Sequence, residues 1–384
     1  METPQQSIIP MNQPSQVTKE KTMVYMPENA WEWCCLGFLQ IGWVTHLAAT
    51  VDLFSGVFMF PAGLIFLHVH TFVVLFALIL SMLRKWFSIP FLCFSLFGLF
   101  SDWKPPSLAP KTRSEKMISI MTWNIQGLDT LTDPKNTCAI DFLDSWFKQE
   151  GTNRTVLLQE VPKSAVNRLE KELNVQCTWN SYFNHSKIGL LLCSGSNWRF
   201  RFENHRTMDT GSSYGFQQVE LSQGKNYRFN ILNVHMPSLA MVARKQGIRT
   251  RRTIVETLKA NPNPTTYFHL LKAQHKAHQS SIERIADLSQ KLKDPTVIGG
   301  DFNTPPTGTV HDVLTDIDMQ DSHKDVGTGW GFTTERFGLL FNRIDFLYGS
   351  KELEWFEKSL VHNDIHCSDH FPVSSTFILP SVER

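Results

Sequence analysis

No CxxC pair and no Cys/His spacing of the zinc type occurs among the seven cysteines of this 384-residue chain, which argues against a structural zinc module. An excess of one charge is missing as well. With 37 basic and 36 acidic residues the net charge is +1, so no global field marks an obligate nucleic-acid binder. No internal repeat points to a solenoid. Charge is scarcest from Trp33 to Ser101, where Asp52, Arg84 and Lys85 are the only acidic or basic residues. A buried soluble helical hairpin is disfavoured there, because so long an uncharged run would leave it no solvated face.

That stretch has the composition of a membrane anchor. Trp33–Val51 and Leu53–Leu83 each reach the roughly 20 residues that span a hydrocarbon core, and Trp86–Ser101 is a shorter third run. Trp33, Trp43, Trp86 and Trp103 stand near the expected interfaces, while His46, His68 and His70 read as neutral packed side chains. The long polar leader, and the apolar runs that follow one another directly, disfavour a cleaved signal peptide. The expected organisation is a polar tail (1–32), an α-helical transmembrane anchor of two or three helices in contact with membrane lipids (33–101), a Pro-rich linker (102–116) and a catalytic domain (117–384).

Flanking charge does not orient a three-span anchor: Lys19, Lys21, Arg84 and Lys85 balance Lys104, Lys111, Arg113 and Lys116. The usual dominance of the first span places the amino terminus in the cytoplasm and the catalytic domain outside it. Cys34, Cys35 and Cys93 lie in apolar sequence. Cys138, Cys177, Cys193 and Cys367 suit either disulfides or buried thiols, and unpaired thiols are the expectation.

Beyond the linker, short apolar runs predict strands at Met117–Ile125, Thr155–Val161, Lys187–Cys193, Tyr214–Leu221, Tyr227–His235, Thr296–Gly299, Arg343–Tyr348 and His370–Phe377. A hairpin is expected around Ser222–Lys225. Helical patterns fall at Cys138–Lys148, Lys163–Leu173 and, as a long pair broken at Asn261–Pro264, across Leu239–Lys293. Many strands with interspersed helices predict an α/β fold of two packed sheets with helices outside.

Several of these strands end in polar residues that a hydrophobic core would not select. MISIMTWNI carries Asn124, and TVLLQEV ends in Gln159 and Glu160. FNILNVHM holds His235, and VIGGDFN holds Asp301 and Asn303. RIDFLY holds Asp345, and CSDHFPV holds Asp369 and His370. Alone, each reads as a solvated loop residue. Together they supply carboxylates for a hard cation, imidazoles for proton transfer and amides that orient oxygen. Asp301 and Asn303, two apart on a strand end, are expected to project to one side.

The ordered series WNIQG, LLQEV, NVHMPS, GGDFNTPP, RIDFLY and SDHFPV, running from about Met117 to Leu379, resembles the endonuclease/exonuclease/phosphatase superfamily. The resemblance implies a four-layer α/β sandwich and metal-assisted phosphoester hydrolysis without a covalent enzyme intermediate. It implies that Glu160 holds Mg²⁺, or Mn²⁺ in its place, with Asn124 beside it as ligand or orienter. His235 would bind a phosphate oxygen or protonate the leaving group. Asp301 would orient or deprotonate the attacking water, and Asn303 would donate to the non-bridging oxygens. Asp345 would hold His370, which would bind phosphate or act as base. Asp369 would touch a second metal or the water.

The apolar spans joined to this domain are similar to a bacterial membrane-anchored subgroup that includes teicoplanin-resistance enzymes thought to act on undecaprenyl pyrophosphate. So is GTGWGFTTERFGLLFNRID (327–345). A phosphorylated lipid or pyrophosphate is therefore the expected substrate, with DNA or RNA as the alternative and a catalytically inactive scaffold as a third reading. No obligate protein partner is inferred. The helical insertion with the basic run Ala243–Arg252 departs from the pattern; it reads as a solvated helix face or as a grip on phosphates. His275 and His278 share a face of its second helix, with no matching carboxylate or cysteine to complete a metal site.

Overall fold

The strand β1 (Met117–Asn124) is buried along its whole length, which explains why its sequence is apolar on both faces. Ile118 and Ile120 enter one core, and Met121 and Trp123 enter another. The computed structural model describes residues 117–380 except 128–130, 132, 134–135, 150–152, 183–186, 196–197, 208–214, 225–226, 248–263, 307, 337–338 and 356–358. The expected tail, anchor and linker, and much of the basic run, lie outside the described residues. Among those described, no helix is long and apolar enough to cross a membrane.

The strand order places β1 inside the first sheet. There it pairs in parallel with β2 (Asn153–Pro162) and antiparallel with β15 (Val373–Ile378), the last strand of the domain. Beyond β2 come β4 (Ile188–Ser194) and then β3 (Gln176–Ser181); β13 (Glu354–Trp355) and β14 (Leu360–Val361) flank β15. The second sheet runs β5 (Arg199–Thr207), β6 (Gly215–Gln223), β7 (Tyr227–His235), β8 (Thr296–Asp301), β12 (Asp345–Ser350) and β9 (Met319–Asp321). The expected hairpin at Ser222–Lys225 joins β6 to β7, with Gly224 in the left-handed region at φ 61°. A small ribbon, β10 (Thr334–Arg336) with β11 (Leu339–Asn342), leads into β12.

Four layers result. Helices α1 (Cys138–Lys148) and α2 (Val166–Leu173) cover the first sheet; Ile140, Leu143, Trp146 and Leu169 pack on Trp123, Val156 and Leu158. Between the sheets, Ile118, Ile120 and Leu157 meet Ile231, Val297 and Leu347. The helix α3 (Leu239–Lys245) packs on α4 (Pro264–Lys291), and α4 packs with α5 (Thr309–Asp316) on the outer face of the second sheet through Ile282, Ile285 and Leu314. Pro264, the last residue of the expected break, opens α4, where its missing N–H costs nothing.

One expectation changes. The thiols of Cys138 and Cys367, and those of Cys177 and Cys193, are joined as disulfides. Cys177 and Cys193 stand opposite each other in the β3–β4 ladder, a pairing that linear spacing conceals because the largely polar sequence of β3 lacks the apolar alternation of a strand. His278, on the α4 face it shares with His275, is buried, and its Nε2 donates to the Pro237 carbonyl at 2.8 Å. Burial lowers its pKa to about 4 and keeps it neutral.

The helix α6 (Ser322–Val326) starts on Asp321, whose carboxylate accepts from the backbone N–H of His323 at 3.0 Å and Lys324 at 3.5 Å. The same carboxylate pairs with Arg343, which lies 4.5 Å over the Phe346 ring and is buried. Burial would raise the Asp321 pKa, but Arg343 outweighs it and lowers the value. Its stabilising contribution is therefore present above the ordinary carboxylate range and is lost as pH falls through the lowered value. Asp321→Ala is expected to cost about 3–5 kcal/mol, because it strands Arg343 without its partner. Urea unfolding at pH 7 checks this; a loss under about 1 kcal/mol would show that the pair is screened.

Candidate active site

At one end of the sandwich the ladder aligns three chemically active residues. His235 is opposite Asp301 in the β7–β8 pairing, and Asp301 is opposite Asp345 in β8–β12, so the three form a row across neighbouring strands. The approach of β8 depends on Gly300, where a Cβ would stand 1.8 Å from the Val234 carbonyl oxygen. From the facing sheet, Asn124 ends β1 and Glu160 leaves β2 at a bulge, with φ 60°. A left-handed backbone at a residue other than glycine costs about 1–2 kcal/mol, and it turns the carboxylate towards the row.

Asn124 joins the two sheets at the site. Its Nδ2 lies 3.0 Å from Asp301 Oδ2 and 3.4 Å from Glu160 Oε1, while its Oδ1 accepts from the Gln126 N–H at 3.2 Å. Asn303 converges as expected, by a different route. β8 ends at Asp301, and Asn303 turns back at φ 50°, its N–H donating to Asp301 Oδ1 at 2.9 Å. Its side-chain amide donates to Asp301 Oδ2 at 3.1 Å and to the Met236 carbonyl at 3.0 Å. A self-closing turn, not strand alternation, brings the two side chains together.

His370 Nδ1 donates to Asp345 Oδ2 at 2.9 Å, which leaves Nε2 facing Asp301 Oδ2 and Asp369 Oδ1, each at 3.9 Å. Burial would lower the His370 pKa, but Asp345, Asp301 and Asp369 outweigh it and raise it to about 10. Burial would raise Asp301, but His370, His235 and Asn124 hold it at about 2. At neutral pH the site thus contains an ionised Asp301 beside an imidazolium. Asp369 sits beyond His370 and accepts from Gln126 Nε2.

Sequence patterns did not single out the supporting groups. Thr333 Oγ1 accepts the N–H of Ile344 at 3.0 Å and of Asp345 at 3.1 Å, which fixes the start of β12. Ser368 Oγ donates to the Asn124 carbonyl at 2.8 Å and accepts from the His370 N–H at 3.2 Å. Tyr182 lies against His235 and Glu160. Only the SDH run, with its serine before two site residues, carried a readable signal. Cys367, two residues before Asp369, ties this loop to Cys138 at the start of α1.

The oxygen-rich donor set fits a hard divalent cation. Among the described residues, Asp301, Asp345 and His370 form a group of possible ligands whose ligand atoms lie within 4.8 Å of one another. A cation bound by all three would compete with the Asp345–His370 hydrogen bond. Glu160, its side chain 32% exposed, is better placed to meet a partly hydrated ion.

Two facing sheets with carboxylates, amides and imidazoles gathered at their shared end define a hydrolase of phosphoester bonds. The sequence profile described as "Endonuclease/Exonuclease/phosphatase family" matches residues 121–370, and the chain belongs to that family, whose enzymes depend on divalent metal. No curated protein matches the sequence. The crystal structure of an endonuclease/exonuclease/phosphatase from Bacteroides vulgatus is 15% identical with a TM-score of 0.52, and covers 69% of this chain and 100% of that one. A family protein from Bacteroides thetaiotaomicron is 12% identical with a TM-score of 0.51, covering 70% and 100%. These two likenesses show the fold. The human Nocturnin catalytic domain with bound sulfate is 18% identical, with a TM-score of 0.48 and coverage of 69% and 95%.

Because the folded pKa of His370 lies above its ordinary value, the stability it contributes is full below about pH 6.5 and is lost as pH rises through about 10. In chelator-treated protein the His370 imidazolium should persist past pH 8 by NMR titration, and Asp345→Asn should lower its midpoint. A midpoint near 6.5 in the unaltered protein would refute this electrostatic account.

Proposed function

We propose that the chain is a membrane-anchored, Mg²⁺-dependent phosphoesterase whose catalytic domain works outside the cytoplasm on a lipid phosphate or pyrophosphate. The observation that carries the hydrolytic part is the convergence of Glu160 and Asp301 on one Asn124 amide, beside His235 and the Asp345–His370 pair. Glu160 would hold the cation, Asn124 orients Glu160 and Asp301, and Asp369, beside His370, would offer a further oxygen ligand. Mn²⁺ fits the same ligands. When bound, the cation polarises the phosphoryl oxygens as a Lewis acid.

The chain's own residues supply the rest. Asp301, ionised at neutral pH, orients the attacking water and receives its proton. His370, charged and steered by Asp345, binds a phosphate oxygen as negative charge builds there. His235 reaches the same corner through Nε2, 3.5 Å from Asp301 and 3.9 Å from Glu160. Asn303 holds Asp301, and its amide would donate to a non-bridging oxygen by exchanging one of its two present acceptors for the substrate.

The lipid reading is supported by the apolar spans between Trp33 and Ser101, which would confine the site near a headgroup plane and raise the effective substrate concentration. The similarity to the teicoplanin-resistance subgroup favours a polyprenyl pyrophosphate. Two disulfides support an oxidising compartment, in agreement with the orientation favoured by the first span.

The test compares Mg²⁺-dependent turnover of a polyprenyl pyrophosphate, bis(p-nitrophenyl) phosphate, inositol phosphates and plasmid DNA by the full-length chain. Phosphate release from the polyprenyl substrate, abolished by EDTA, is expected; plasmid cleavage with no lipid turnover would replace this reading with a nuclease. Asp301→Asn and His370→Ala should each lower kcat by about 10²–10⁴-fold with the fold retained. Near-normal turnover in either would remove that residue from the mechanism. A reporter fused after Ser101 is expected to be active only outside the cytoplasm.

A further inference from the structure

The phenol of Tyr182 is buried between two residues of the active site and takes part in two hydrogen bonds. Its Oη accepts the backbone N–H of Glu160 at 2.8 Å and lies 2.7 Å from Nδ1 of His235. The rings of Tyr182 and His235 lie 5.3 Å apart, inclined at 54°. A backbone N–H can only donate, so the phenol oxygen must accept from Glu160. The one phenolic proton is then available to Nδ1, the nearest acceptor.

We infer that Tyr182 is a positioning residue: by donating to Nδ1 it holds His235 as the neutral tautomer with hydrogen on Nε2. This rests on the phosphoesterase reading and narrows it. A ring fixed in this way presents an N–H donor to the corner shared by Asp301 and Glu160, where a phosphate oxygen would sit. Its lone pair is committed to the phenol. His235 therefore donates a hydrogen bond to the phosphate and takes no proton from water, so that role is left to Asp301. The same phenol braces the Glu160 backbone at its left-handed bulge, and one side chain thereby sets the spacing between the cation's carboxylate and the phosphate donor.

The test uses full-length protein labelled with ¹⁵N-histidine and kept metal-free, with the His235→Ala spectrum assigning the His235 signals. At pH 7, Nδ1 should resonate in the unprotonated range and Nε2 in the protonated range. Protonation at Nδ1, in either the other tautomer or the imidazolium, overturns the inference. Tyr182→Phe should convert the single tautomer to a mixture and lower kcat/KM on bis(p-nitrophenyl) phosphate by about tenfold or more. Unchanged tautomer populations in that variant also overturn it. Should Tyr182→Phe fail to fold, 3-fluorotyrosine at position 182 decides: its more acidic phenol should shift the Nδ1 resonance further, and an unmoved resonance counts against the inference. These spectra are read without turnover, so an inactive enzyme with the stated tautomer would sink the phosphoesterase reading and leave this one standing.

Discussion

The buried carboxylate of Asp301 is the constraint around which the rest of the site is arranged. An isolated carboxylate in the interior would cost several kcal/mol, and its neighbours remove that cost with two asparagine amides, a backbone N–H and two imidazoles. These donors come from β1, β7 and the loops after β8 and before β15. No single element could supply them. The burial of one charge therefore requires both sheets to be present and in register.

A second set of polar groups holds that register beneath the site. Gln159 reaches across the intersheet core to Asn233 at 2.8 Å and also contacts Thr122 Oγ1 at 3.1 Å, while Asn233 donates to the Leu158 and Leu191 carbonyls. Apolar contacts alone tolerate sliding; a buried amide pair does not, because a shift leaves it unsatisfied. Glu160 follows Gln159 directly and His235 is two residues beyond Asn233. The intersheet amides thus fix the distance between residues that must act on one phosphate.

Much of this was legible in the sequence. Strands buried on both faces read as apolar runs, and the polar residues that interrupt their ends are the ones brought together here: Asn124, Glu160, His235, Asp301, Asn303, Asp345, Asp369 and His370. Hidden were features created by pairing. β3 and β5 carry polar and charged residues that mask their alternation, so neither the Cys177–Cys193 link nor the placement of Tyr182 could be anticipated. Helical spacing placed His278 on a face with His275 but could not show its partner, the Pro237 carbonyl. Asn303 was placed correctly on a mistaken ground, since its turn begins where the strand stops.

Pairing of the first strand with the last has a consequence for biosynthesis. β1 lies inside its sheet only once β15 has added to its open side, from Met117 against Ile378 to Thr122 against Val373. During translation that edge stays open until nearly the whole domain has been made, and the loop bearing Asp369 and His370 arrives just ahead of the closing strand. A chain interrupted before that point lacks both the seal of its sheet and the imidazolium of its site. Competence for hydrolysis and closure of the first sheet are therefore reached within the same few residues of synthesis.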